Sequence, residues 1–135
     1  MKICVSATAN SIDAQVDPRF GRCSYFVIVD SENMQFEVIP NVASGAMDGA
    51  GTQAAQTIAG KGAKVLITGN VGPNAFQALA AAGIKVVVSA SGTVRQAVEK
   101  YKRGKLGETG SATVSGHFGM GRGGGRGQGR RGWET

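Results

Sequence analysis

Histidine occurs once in this chain, at position 117, and cysteine twice, at positions 4 and 23. The lone imidazole falls in a glycine-rich stretch, so a Ser-His-acid hydrolase is not expected. The two cysteines lack the spacing of a zinc knuckle or a redox pair, and they read as a buried small hydrophobe and a free thiol. No apolar run approaches the roughly 18 residues of a membrane helix. The opening "MKICVSATANS" carries no secretory apolar segment, which leads us to expect a cytoplasmic protein without membrane contact. A G-x-G-x-x-G after the first strand and a Walker lysine are both missing, so neither a dinucleotide nor a nucleoside triphosphate site is expected. The first strand offers Cys4 and Ser6 where a two-metal nuclease would need carboxylates.

Glycine, in contrast, is abundant: 22 residues of 135, against a usual share of about 7%. Ten of them lie in residues 110–135, where few apolar side chains remain. Composition therefore predicts one domain over residues 1–108 and a disordered Gly/Arg-rich tail over 109–135. The net charge of +6 divides equally, since the tail holds four arginines and one glutamate. The body is only mildly basic.

Along the body, "KICVSA" reads as a buried strand, and a long loop from Thr8 to Arg22 follows it. "CSYFVIVD" and "MQFEVIP" have the β-branched and aromatic density of two more strands, joined by the turn "DSEN". "GTQAAQTIAGKG" is helical in spacing, "KVLITGN" is a short apolar strand, and "GPNAFQALAAAG" is a helix with Pro73 near its first turn. "IKVVVSA" is a fifth strand. "TVRQAVEKYKRGK" opens with Thr93 and Gln96 in capping-box spacing. Right-handed βα crossovers added to an antiparallel hairpin predict an α/β fold with a five-stranded mixed sheet of order 3-2-1-4-5, as in ribonuclease H-like folds.

In such sheets ligands collect at the carboxyl ends of the parallel strands. Here those ends read Ser6-Ala7-Thr8, Thr68-Gly69-Asn70 and Ser89-Ala90-Ser91-Gly92, and Gly72 to Asn74 set free amides at a helix start, an anion site. They face the loop stretch "VDPRFGRCSY". Arginines, backbone amides and a thiol together suit an anionic metal-sulfur cluster, with Cys23 and His117 as candidate soft ligands. A purely structural account stands beside this one. Pro18 would fix the chain, Phe20 would cover the core, Gly21 would take a positive φ, Asp17 would pair with Arg19 or Arg22, and Cys4 would belong to the core. The tail offers a rival function, a nucleic-acid or protein interaction module built on its arginines, or a cap over the cluster site using His117 and Met120. A small enzyme acting on a phosphorylated substrate is a third class.

"VDPRFGRCSYFVIVD", "GAGTQAAQTIA" and "KVLITGNVGPNAFQAL" closely resemble the dinitrogenase iron-molybdenum cofactor biosynthesis family, which includes NifX-type carriers and the C-terminal domain of NifB-type maturases. The resemblance spans about residues 1–105, and its most specific element is Asp17-Pro18-Arg19-Phe20-Gly21-Arg22. It implies a ribonuclease H-like fold and non-catalytic binding of an iron-sulfur or molybdenum-containing cluster or its precursor. Cofactor-assembly proteins would be the partners, nucleic acid would not, and the expected state is a monomer or weak dimer. The implied cluster-facing residues are Arg19, Gly21, Arg22 and Cys23, with Gly69, Asn70 and Gly72.

Overall fold

The computed structural model describes residues 1–43, 45, 49–110 and 112–113. The elements run β1 (Lys2–Ala7), β2 (Tyr25–Asp30), β3 (Phe36–Pro40), α1 (Ala50–Gly60), β4 (Ala63–Ile67), α2 (Pro73–Ala81), β5 (Lys85–Val87) and α3 (Val94–Lys102). The sheet order is β3-β2-β1-β4-β5, as expected, with β1 antiparallel to β2 and parallel to β4.

Both faces of the sheet are covered, which is why β1, β2 and β4 are nearly continuous apolar runs. Side chains alternate between the faces. Cys4, Phe26, Ile28, Leu66 and Val86 pack with Ala54, Ala55 and Ile58 of α1 and Leu79 of α2. Ile3, Val5, Val27, Val29, Val65, Ile67 and Val87 pack with Val94, Ala97 and Val98 of α3. The capping box at Thr93 and Gln96 is present in both directions.

Four strands are shorter than their sequence pattern, β4 among them, which ends at Ile67 and leaves Thr68, Gly69 and Asn70 to the following loop. β2 starts at Tyr25 because the Cys23 carbonyl is taken by the Asn41 side chain. β3 starts at Phe36 because Met34 adopts φ 61° and donates its amide to the Asp30 carbonyl, so it belongs to the turn. β5 stops at Val87, two residues before Ser89 takes φ 62°.

β1, β3, β4 and β5 all run in one direction, so the first turns of α1, α2 and α3 gather at the same edge of the sheet as the end of β1. At that edge the first turns of α1 and α2 touch closely. A Cβ added to Gly51 would lie 2.7 Å from the Cβ of Ala75, whereas one added to Gly60 would meet nothing within 4 Å. Gly51→Ala should therefore destabilise the protein by about 1–3 kcal/mol through overpacking. Gly60→Ala should be neutral or stabilising by up to about 1 kcal/mol. Urea unfolding followed by circular dichroism compares them; a Gly51→Ala variant as stable as Gly60→Ala would refute the close packing.

Candidate functional site

The opening loop begins as a closed excursion. Ala7 bridges to Val16, and the Thr8 amide donates to the Gln15 carbonyl at 3.0 Å. Ile12 and Val16 are buried in the α3-side core. The chain then crosses the end of the sheet at Asp17 and Pro18 and enters the opposite core with Phe20, whose ring centroid lies 5.5 Å from that of Phe26.

The crossing is held by buried polar groups. Asp17 donates its amide to the Ser6 carbonyl at 2.8 Å, and Ser6 Oγ donates to the Asp17 carbonyl at 2.6 Å. Ser6 Oγ also shares a hydrogen bond of 2.8 Å with Thr68 Oγ1. The Asp17 carboxylate is buried and accepts from the Arg19 amide at 2.9 Å and from Arg19 Nε at 3.4 Å. Of the two arginines proposed as its partner, Arg19 makes this bond. Beyond the crossing, the Asn70 amide donates to the Pro18 carbonyl at 2.8 Å, and Arg19 and Asn70 form a parallel bridge.

Glycines permit these approaches. A Cβ on Gly69 would sit 2.5 Å from Pro18 Cα, and one on Gly21 would sit 2.8 Å from the Gly51 amide nitrogen. Gly21 does not adopt the positive φ that the loop reading anticipated. Its lack of a side chain serves contact with α1 instead. The motif residues Arg19 and Gly21 and the residues Gly69, Asn70 and Gly72 thus belong to one edge, beside the first turns of α1 and α2.

The three helix starts at this edge differ in their electrostatics. The α3 amides of Val94, Arg95 and Gln96 are used by the Ala14 carbonyl, the Ile12 carbonyl and Thr93 Oγ1. The α1 and α2 N-caps are Gly49 and Gly72, which have no side chain to offer, and neither first turn carries an acid. Among the described residues, no side chain caps these two helix starts, whose positive dipole ends suit an anion. Arg19 is half-exposed alongside them, and Arg22 follows on the same loop.

Cys23 occupies a different position from the rest of the motif. It is fully buried, its thiol donates to the Phe20 carbonyl at 3.1 Å, and burial pushes it up to about 12, with the charge of Asp17 adding to the effect. Cys4 is also fully buried and raised, chiefly by burial, in keeping with the core role expected for it. In this conformation Cys23 is a protonated core thiol, and ligation by it requires the 19–23 turn to open. His117 and Met120 lie outside the described residues. Among the described residues no group of three His, Cys, Asp or Glu side chains could hold a metal ion. One residue escaped the sequence reading: Asn41 is buried, and its Nδ2 donates to the carbonyls of Gly21 at 3.0 Å and Cys23 at 2.9 Å. Nothing in its neighbours Pro40 and Val42 marks it.

These positions have measurable consequences. Asn41→Ala should cost about 1–3 kcal/mol, because two carbonyls beneath the motif lose their donor. Cys23 lies above the ordinary thiol value of 9.0 in the folded state, so the folded protein keeps a proton that the unfolded chain releases. Its contribution is complete below about pH 9 and falls as pH rises toward 12, by about 1.4 kcal/mol per pH unit. Urea unfolding from about pH 8 to about pH 11 should show a shallower decline for Cys23→Ser. Identical slopes would exclude a buried, protonated thiol.

Residues 1–104 match the family described as dinitrogenase iron-molybdenum cofactor. The apo form of the orange protein of Desulfovibrio gigas superposes with a TM-score of 0.82 at 45% identity, covering 84% of this chain and 96% of that one. A Thermotoga structure provisionally described as a NifB protein gives a TM-score of 0.74 at 36% identity, covering 85% of this chain and 98% of its own. An uncharacterized protein of Methanocaldococcus jannaschii is 34% identical over 109 residues, 78% of this chain and 89% of that protein. The match over most of the body, including the whole Asp17–Arg22 motif, shows that the chain belongs to the dinitrogenase iron-molybdenum cofactor family.

Proposed function

We propose that this protein is a non-catalytic carrier of an anionic metal-sulfide cluster, iron-sulfur or molybdenum-containing, or of its precursor, which it exchanges with cofactor-assembly proteins. The observation that carries the reading is the contrast among the helix starts: α3 is fully capped, while α1 and α2 begin with glycine beside Arg19 and Asn70. Cluster sulfides accept hydrogen bonds from amides and guanidinium groups, and such bonds to a charged acceptor are about twice as strong as neutral ones. Arg19, Arg22 and Asn70 would contact the cargo through their side chains. Gly21, Gly69 and Gly72 would let it approach the backbone.

In the closed form this hold is made of hydrogen bonds and charge. Cys23 would become a direct metal ligand only after the turn opens and its thiol loses a proton. The Desulfovibrio gigas relative, named for a colour and described in an apo form, supports a coloured, removable guest. Two free cysteines suit a reducing cytoplasm, and no described helix is long and apolar enough to cross a membrane. The 3-2-1-4-5 strand order supports the ribonuclease H-like assignment. The nucleic-acid alternative depends on tail residues outside those described.

Anaerobic incubation with ferrous iron and sulfide, or with tetrathiomolybdate, followed by gel filtration should leave a coloured protein. Amide resonances of Asn70, Gly72, Asn74 and Ala75 should shift. Arg19→Ala should weaken retention by about tenfold at low salt, the loss of one charge-assisted contact. That difference should shrink at about 0.5 M salt. A colourless protein with unchanged amide spectra would overturn the proposal.

A further inference from the structure

The end of the sheet away from the candidate site carries an excess of positive charge. α3 stops there in a Schellman cap: Gly104 takes φ 73°, its amide donates to the Tyr101 carbonyl at 3.0 Å, and the Lys105 amide donates to the Lys100 carbonyl at 2.9 Å. The Arg103 amide takes the Glu99 carbonyl at 3.1 Å. Backbone amides thus satisfy the last carbonyls of the helix, and the side chains of Lys100, Lys102, Arg103 and Lys105 are not needed as caps. All four residues are exposed. Among the described residues none of the four forms an ion pair, whereas Arg19, Lys61, Lys85 and Arg95 each have a carboxylate partner. Glu99, the one acid in this stretch, adds its charge to Arg95 a turn back. The helix dipole presents only about half a negative charge at this end, which four cations exceed.

These cations border a groove of about 490 Å³, lined by Met1, Ser31, Tyr101, Lys102, Gly104 and Leu106. Tyr101 and Leu106 pack against the α3-side core with part of their surface open, and Met1 is 50% exposed. The lining is therefore apolar in part and cationic at Lys102. On either side of Ser31, Asp30 and Glu32 lie 4.0 and 3.9 Å from the Met1 amine, so the acids nearest the groove are already engaged.

An apolar hollow bordered by unmatched cations fits an extended acidic peptide. Carboxylates would meet Lys102 and its neighbours at the rim, while an apolar side chain enters between Met1, Tyr101 and Leu106. A nucleic acid would need stacking platforms along its track, and the groove offers Tyr101 as its one aromatic ring. We propose that this groove docks an acidic segment of a partner protein, one with an apolar residue between its carboxylates. It lies at the amino end of β1, whereas Arg19, Asn70 and Gly72 lie at the opposite edge of the sheet. A partner held here leaves the candidate anion edge uncovered, and the docking stands whether or not that edge carries a cluster.

The test uses the full chain and a short fluorescent peptide in which two leucines are flanked by glutamates. Fluorescence anisotropy at low salt should show binding, and the full-length variant carrying Lys102→Gln, Arg103→Gln and Lys105→Gln should bind about tenfold or more weakly. The three side chains are exposed and make no ion pair among the described residues, so the circular dichroism spectrum of the variant should match wild type. The difference in affinity should shrink at about 0.5 M salt. Serine in place of the peptide's leucines should weaken binding by about fivefold or more. Amide resonances of Tyr101, Lys102, Gly104 and Leu106 should shift on titration, and those of Asn70 and Gly72 should not. Equal affinities of wild type and variant, or of the leucine and serine peptides, would overturn the proposal. Tighter binding of single-stranded DNA or of phosphatidylserine vesicles than of the peptide would overturn it as well.

Discussion

Two buried hydroxyls hold the opening loop to the sheet, and most of the candidate site depends on them. Ser6 and Thr68 stand one residue beyond the last β1–β4 pair, Val5 with Ile67, and both are fully buried. Apolar side chains there would extend the core and leave the Asp17 carbonyl without its donor, at a cost of about 1–3 kcal/mol. With the hydroxyls in place, the loop can cross from one core to the other through a polar point. Pro18 then lies on Gly69, Arg19 beside Asn70, and Phe20 in the α1/α2 core. The Asp17 carboxylate, buried in the same crossing, fixes the backbone of Arg19 and draws its side chain back along the loop. A single geometric event therefore orders the motif and aims it at the helix starts.

The same edge explains why the loop is long. Its first half, from Thr8 to Val16, consumes the positive end of α3: the carbonyls of Ile12 and Ala14 accept from Arg95 and Val94, and the Val16 amide donates to Gly92. Its second half brings small residues against α1 and α2 and does not cap them. Among the described residues, one helix start is capped by the protein itself and two carry no side-chain cap. On the proposed reading, this asymmetry is what separates a binding edge from one where loops merely turn, because a structural loop would gain by capping all three.

Much of this was legible in the sequence. Strand order followed from an antiparallel hairpin joined to βα units, because crossover handedness and sheet type leave few other arrangements. The Thr93–Gln96 capping box was visible because both partners sit three residues apart. What failed to show was contact between distant segments. Gly21 reads as a turn glycine, and only the packed structure reveals that Gly51, thirty residues on, needs it small, just as Ala75 needs Gly51 small. Met34 and Ser89 take positive φ without being glycine, so the ends of β3 and β5 carried no local mark. Cys23 sits in a motif of exposed character, and its neighbours did not reveal that its side chain turns inward beneath Asn41.

That inward turn bears on how a carrier of this kind could let go. A cluster bound through metal-thiolate bonds leaves only when ligands exchange, whereas one held by amides, a guanidinium and helix dipoles leaves when those contacts are screened or replaced. With Cys23 neutral and bonded to the Phe20 carbonyl, opening the turn would expose Phe20 and break the Asn41 contacts with the Gly21 and Cys23 carbonyls. Those costs favour the second mode, in which affinity comes from charge and remains tunable by more charge. The family match covers residues 1–104, and every residue invoked in this mode of binding lies within it. On the proposed reading, the shared body would then determine what kind of anion is held.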